Sequence, residues 1–185
     1  DWNAVGPSGE EHLGDSVASA GDVNGDGFAD VLVGAPDYDS MCGKAYLYYG
    51  SAAGLSAEPA WVATGESTGN TFGTTVTTAG DVNGDGYADV VVLADEYLAW
   101  KGRVYVYHGS PQGLDVPYST FSTQREGSYW PGIQAVGGAG DLNGDGYADL
   151  IIGVPYAYVG DNARGKAYII YGSPLGLSRI FDASV

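Results

Sequence analysis

A single cysteine, Cys42, rules out an internal disulfide framework, so packing, and metal if any is bound, must hold the fold together. Cys42 itself reads as an unpaired loop thiol, with intermolecular pairing as the alternative. Basic residues are scarce as well: seven Lys and Arg face 23 Asp and Glu, for a formal charge of −16. Such a chain repels phosphate backbones and anionic lipid, which argues against nucleic acid or membrane partners and in favour of cations. Long apolar runs are also missing. Val90-Val91-Val92-Leu93-Ala94 is among the longest and falls far short of the roughly 20 residues needed to cross a bilayer. No basic-then-apolar leader opens the chain and no initiator Met precedes Asp1, so a soluble, processed or excised piece is expected. Histidines number two, His12 and His108, which gives catalysis little to work with; the expectation is that this is not an enzyme.

Glycine and tyrosine are plentiful instead, at 31 and 15 residues, and 44% hydrophobic content in 185 residues is enough for one domain with a real core. That mixture favours many short strands joined by tight turns. A helical reading fails, because no window keeps a 3.6-residue period and Gly or Pro interrupts every long stretch.

The dominant feature is an internal repeat. Gly21-Asp22-Val23-Asn24-Gly25-Asp26-Gly27-Phe28-Ala29-Asp30 returns nearly unchanged at 80–89 and at 140–149, a period of 59 to 60 residues. The likeness reaches beyond the acidic stretch. Val31-Leu32-Val33-Gly34-Ala35-Pro36 matches Leu150 to Pro155, and Lys44-Ala45-Tyr46-Leu47-Tyr48-Tyr49-Gly50-Ser51 returns as Arg103 to Ser110 and as Lys166 to Ser173. Trp2, Trp61 and Phe121 each stand 20 positions before the first Asp of a repeat. One unit reads as a small-residue strand near 13–20, the acidic loop, an apolar strand near 29–35, a turn, a Tyr-rich strand near 44–49 and a last strand near 60–64. Four antiparallel strands per unit make one β-propeller blade, so the fold class is all-β with three blades.

Each acidic loop, Asp-x-Asn-x-Asp-Gly-x-x-Asp, places oxygen side chains at positions 1, 3, 5 and 9, with a Gly where the chain must turn. Hard oxygen donors without a neighbouring thiolate or imidazole suit Ca2+, which takes about six to eight oxygens in flexible geometry, better than Mg2+. Three calcium sites are expected. The first uses the side chains of Asp22, Asn24, Asp26 and Asp30 with the Phe28 carbonyl. The second uses Asp81, Asn83, Asp85 and Asp89 with the Tyr87 carbonyl, and the third Asp141, Asn143, Asp145 and Asp149 with the Tyr147 carbonyl. An EF-hand also needs an acidic residue at position 12 and a following helix, whereas Val33, Val92 and Ile152 stand there inside β-prone runs. Without metal, three carboxylates within nine residues would repel one another.

Leu13-Gly14 or Phe72-Gly73, followed by Val-x-x-Ala-Gly-Asp-x-Asn-Gly-Asp-Gly-x-x-Asp and by Gly34-Ala35-Pro36, resembles the FG-GAP repeat of integrin α-subunit propellers and their bacterial relatives. The resemblance covers nearly the whole chain. It implies calcium in the loop between the first two strands of a blade, and rings of usually about seven blades in adhesion proteins or in accessory modules of secreted enzymes. An extracellular, secreted or cell-surface setting follows from the same likeness. Two departures put blade packing in question: Gly132-Ile133 replaces Phe-Gly in the third repeat, and Leu93-Ala94-Asp95 replaces Gly-Ala-Pro in the second.

The expected division is an outer strand of a preceding blade at 1–12, then blades at 13–71, 72–131 and 132–185, all within one propeller domain. Two aromatic clusters stand outside the repeat and are candidate ligand-binding residues: Tyr97 with Trp100, and Tyr129 and Trp130 with Tyr156 and Tyr158. Protein recognition, adhesion or scaffolding is the leading functional expectation. A lectin using those aromatics is the alternative, and an accessory domain of a secreted hydrolase the third. Propellers close with about four to eight blades. Three blades are therefore expected to self-associate, most simply as two chains making six blades, or to continue into further blades of a longer parent chain.

Overall fold

Chains of β-branched and aromatic residues punctuated by Gly form three antiparallel sheets in succession along the sequence. The computed structural model describes residues 2–6, 11–114, 119–122, 132–159 and 162–177. The first sheet has the order β1 (Ser16–Gly21), β2 (Asp30–Ala35), β3 (Lys44–Tyr48) and β4 (Trp61–Thr64). After β2 comes a four-residue helical turn, α1 (Tyr38–Met41). The second sheet runs β5 (Phe72–Gly80), β6 (Asp89–Ala94), β7 (Arg103–Tyr107) and β8 (Ser119–Ser122), with α2 (Tyr97–Trp100) between its middle strands. The third sheet contains β9 (Ala135–Gly140), β10 (Asp149–Val154) and, on the other side of β10, β13 (Lys166–Ile170). Between β10 and β13 lies a small hairpin of β11 (Tyr158–Val159) and β12 (Asn162–Ala163).

These sheets are the three blades that the repeat implied, and among the described residues they form no closed ring. Burial explains why the apolar strands sit centrally. In the middle blade every residue of β6 is buried, because a sheet packs on each of its faces. The equivalent β10 of the third blade leaves Ile151 exposed. One core fills the junction of blades one and two, where Leu32 and Leu47 meet Val90, Val92 and Tyr107. A second fills the next junction, with Val91, Leu93 and Val106 against Leu150, Ile152 and Ile170.

The two departures from the repeat are absorbed by packing. Leu93 and Ile133 are both fully buried in the second core, and Asp95 accepts hydrogen bonds from the hydroxyls of Thr71, at 2.6 Å, and Thr74, at 3.0 Å. Residues 2–6 form no strand. In blades one and two a fourth strand pairs with the third strand of its own sheet, whereas residues 2–6 make no such pairing. Their side chains nevertheless keep the repeat's phase: Trp2 meets Tyr48 edge-on at 4.9 Å, as Trp61 meets Tyr107 at 4.8 Å.

Candidate metal centre

Each acidic loop begins where the inner strand loses register with its neighbour. β1 slips between Ser19 and Gly21, and β5 between Thr78 and Gly80, and in both the glycine takes a left-handed conformation with φ near 78°. A bulge ending in such a glycine turns the chain sharply out of the sheet. The first Asp of the loop then organises the turn. Asp22 Oδ1 accepts from the amides of Gly25, at 2.7 Å, and Asp26, at 3.1 Å, while its Oδ2 accepts from Gly27 at 2.8 Å. Asp81 and Asp141 repeat these three bonds with Gly84, Asp85 and Gly86, and with Gly144, Asp145 and Gly146. The amides hold the Asp141 carboxyl below its ordinary pKa.

The Asn at position 3 accepts from the amide of the position 5 Asp and donates its own Nδ2 to that carboxylate, at 3.0 Å in the first loop and 2.8 Å in the other two. The position 5 Asp accepts in turn from the position 7 amide, that of Phe28, Tyr87 or Tyr147.

The position 9 Asp differs in kind from the rest. Asp30, Asp89 and Asp149 are completely buried. Asp89 Oδ2 accepts from the Val82 amide at 2.8 Å, which pins the start of the loop, and its Oδ1 accepts from Gly109 at 2.9 Å, which pins the end of β7. Asp30 does the same through Val23 and Gly50, and Asp149 through Leu142 and Gly172. Burial raises the Asp89 pKa to about 7 against the pull of its two amides, and Asp85 and Asp81 push it in the same upward direction. Burial likewise raises Asp30, with Asp26 and Asp22 adding to the effect.

Neighbouring loops touch. The Ala88 amide donates to the Asp22 carbonyl at 3.0 Å and Ala148 to Asp81 at 2.9 Å. The Tyr87 ring packs so closely on Gly25 that a Cβ there would lie 2.6 Å from it, and Tyr147 covers Gly84 in the same way.

Among the described residues, no three Asp, Glu, His or Cys side chains converge as a ready-made cage; the loop oxygens are turned onto the loop's own amides. The donor set still fits a hard divalent cation. Every side-chain donor is a carboxylate or amide oxygen, and the buried Asp89 carboxyl is met by two neutral amides. Asp22, Asn24, Asp26, Asp30 and the Phe28 carbonyl would hold such an ion, as would their equivalents in the other loops, once the Asn Nδ2 releases the position 5 carboxylate.

The described aromatic candidates fall on different elements. Tyr97 is buried in the core between blades one and two, its hydroxyl donating to Glu66 at 3.2 Å and its ring lying 3.8 Å under the Arg103 guanidinium. Trp100 lies on α2. Tyr156 is exposed and Tyr158 half-buried on β11, while Tyr129 and Trp130 fall outside the described residues. Aromatic content alone hides that Tyr97 is in phase with Tyr38, whose ring carries Lys44 Nζ at 3.6 Å. The shared 59-residue spacing of Tyr38–Lys44 and Tyr97–Arg103 was the available signal. His108, just after β7, accepts from Asn83 Nδ2 at 3.1 Å, and burial lowers its pKa.

Sequence comparison agrees with the geometry. The FG-GAP-like repeat family matches residues 22–92 and 81–152, and the FG-GAP repeat family matches 135–170. Integrin alpha-PS2 of Drosophila melanogaster is 38% identical over 170 residues, covering 82% of this chain and 12% of that protein. Integrin alpha-4 of Xenopus laevis is 32% identical over 160 residues, 82% of this chain and 15% of its own length. Human phosphatidylinositol-glycan-specific phospholipase D is 35% identical over 179 residues, 88% of this chain and 21% of its own. The chain thus spans no more than about a fifth of the relatives it matches. With the repeat matched across 22–170 and folded into three antiparallel blades, the chain belongs to the FG-GAP repeat family, as an integrin-α-type propeller segment.

Proposed function

We propose that this chain is a calcium-stabilised, non-catalytic propeller segment that serves protein recognition or adhesion in an extracellular setting. The observation that carries the reading is the threefold loop in which a completely buried Asp closes a nine-residue run of hard oxygen donors. Ca2+ held by Asp22, Asn24, Asp26 and Asp30, and by their counterparts, would neutralise those buried carboxylates and tie loop, strand and following blade together. Millimolar extracellular calcium suits sites of this openness, since the first and last loops lie largely at the surface. Similarity to integrin alpha subunits supports an adhesive role.

Terbium luminescence tests the metal directly. Tb3+ bound in the second and third loops would lie beside Tyr87 and Tyr147, whose rings can sensitise its emission. The expected result is tyrosine-sensitised emission that calcium displaces and that Asp22→Ala, Asp81→Ala and Asp141→Ala together abolish, the first loop included because the Tyr87 ring lies on its Gly25. Emission unchanged in that triple variant would overturn the assignment. A glycan array separates protein recognition from sugar binding: saturable sugar binding lost in Trp130→Ala would favour a lectin instead.

A further inference from the structure

Two of the acidic loops are covered by the blade that follows, and the second of these has a neighbour that the first lacks. Both are closed in the same way: Tyr87 lies on Gly25 and Tyr147 on Gly84, while Ala88 and Ala148 donate to the carbonyls of Asp22 and Asp81. Both hold the position 3 Asn alike. Its Oδ1 accepts from the position 5 amide at 3.0 Å, and its Nδ2 donates to the position 5 carboxylate. The difference lies just past the third strand, where Tyr49 stands in blade one and His108 in blade two. There Asn83 Nδ2 meets a second acceptor, His108 Nδ1 at 3.1 Å. Tyr49 instead carries its hydroxyl onto Gly113 of blade two, where a Cβ would overlap it.

The backbone that carries the imidazole is fixed to the same loop. Gly109, the next residue, donates to Asp89 Oδ1 at 2.9 Å, Ser110 donates to the Val23 carbonyl at 3.0 Å, and a Cβ at Gly109 would run into the Ala88 carbonyl. The Asp85 amide and carboxylate distinguish the two ends of the Asn83 amide, so it is an N–H that faces the imidazole. Nδ1 therefore accepts, and the ring carries its hydrogen on Nε2.

We propose that His108 is a positioning residue for the second metal loop: it holds the Asn83 amide in place for Oδ1 to serve as a ligand, and so makes this loop a tighter calcium site than the first. The inference rests on the calcium reading above. Coordination requires the Asn Nδ2 to release the position 5 carboxylate. Among the described residues, Asn24 then loses the one side-chain acceptor of its Nδ2, whereas Asn83 keeps His108. A cation on Oδ1 also polarises the amide, which strengthens the retained bond to the imidazole. Outer-shell partners of this kind contribute about tenfold or more to metal affinity.

Nuclear magnetic resonance of the whole chain, following the side-chain amide signals of Asn24 and Asn83 through a calcium titration, reads each loop separately. The second loop should half-fill at lower calcium than the first. His108→Tyr places in blade two the residue that blade one already carries, and Gly176 stands in blade three where Gly113 receives Tyr49, so this variant should fold. It should weaken the second loop by about tenfold and leave the first unchanged, and His108→Asn, whose Oδ1 can take the place of Nδ1, should restore most of the loss. In the metal-free chain His108→Tyr should already shift the Asn83 amide signals and spare those of Asn24. A second loop whose affinity stays within about twofold in His108→Tyr, or a loss that the first loop shares, would overturn the proposal while leaving calcium binding intact. Asn83 signals indifferent to the substitution in the metal-free chain would overturn it too. No saturable response in any loop would overturn the calcium reading itself, and this inference with it.

Discussion

The position 9 Asp is where sequence, burial and charge meet most sharply. Its place in the pattern was legible from the loop spacing, but its double amide clamp was not, because Gly50, Gly109 and Gly172 lie 20 or more residues downstream. Asp89→Ala should therefore lower stability by about 2–4 kcal/mol, since it strands two buried amides, while Glu58→Ala on the exposed segment before β4 should stay within about 0.5 kcal/mol. Urea denaturation would check this, and equal effects would contradict it. A pH dependence arises from the same residue. The Asp89 carboxyl is raised on folding to about 7, from the roughly 3.9 of an unfolded Asp. A group raised in this way favours the folded state at low pH, and that contribution is lost as pH climbs through about 7. Without calcium, the wild-type chain should lose stability between about pH 4 and 7 relative to Asp89→Asn. A difference that stays constant across that window would contradict the assignment.

At the scale of elements, the four-strand unit was legible because apolar alternation and the Gly-rich breaks recur three times in phase: β1, β2, β3 and β4 fall within a few residues of their expected spans. The turns α1 and α2 were not. Each is four residues long, too short for a 3.6-residue period to register, and α1 holds Asp39 and Ser40 in left-handed conformations that ordinary propensities disfavour. Tyr97 and Trp100 stood out as aromatics, whereas Tyr97 is a blade-packing residue held by Glu66 and Arg103. Junctions between elements yield a paired prediction. Gly84 and Gly144 share nearly the same backbone, with φ of 76° and 75°, but only Gly84 lies under a neighbouring ring, that of Tyr147. Both Ala variants carry the left-handed penalty of about 1 kcal/mol, and Gly84→Ala should cost a further ~1–3 kcal/mol by displacing Tyr147. Equal melting temperatures for the two would show that the loops do not dock.

For the whole molecule, the repeat period implied three blades and the charge raised the expectation of a cationic partner, yet the faces left uncovered could be identified only by comparing equivalent positions in space. Val91 and Ile151 are both apolar in the sequence, and only their surroundings separate a buried residue from an exposed one. The acidic loops tie these scales together: each oxygen cluster joins a bulge and a strand, and the first two also meet the next blade, so filling the loops should stabilise the entire array. Chelation is expected to lower the melting temperature by about 5 °C or more, with all parts of the chain responding together. Calorimetric titration of the metal-free chain with calcium probes this linkage at its root. Saturable binding of three ions per chain is expected, falling to two in Asp81→Ala, together with a rise in melting temperature. No binding heat at millimolar calcium, with identical melts in calcium and in chelator, would contradict it.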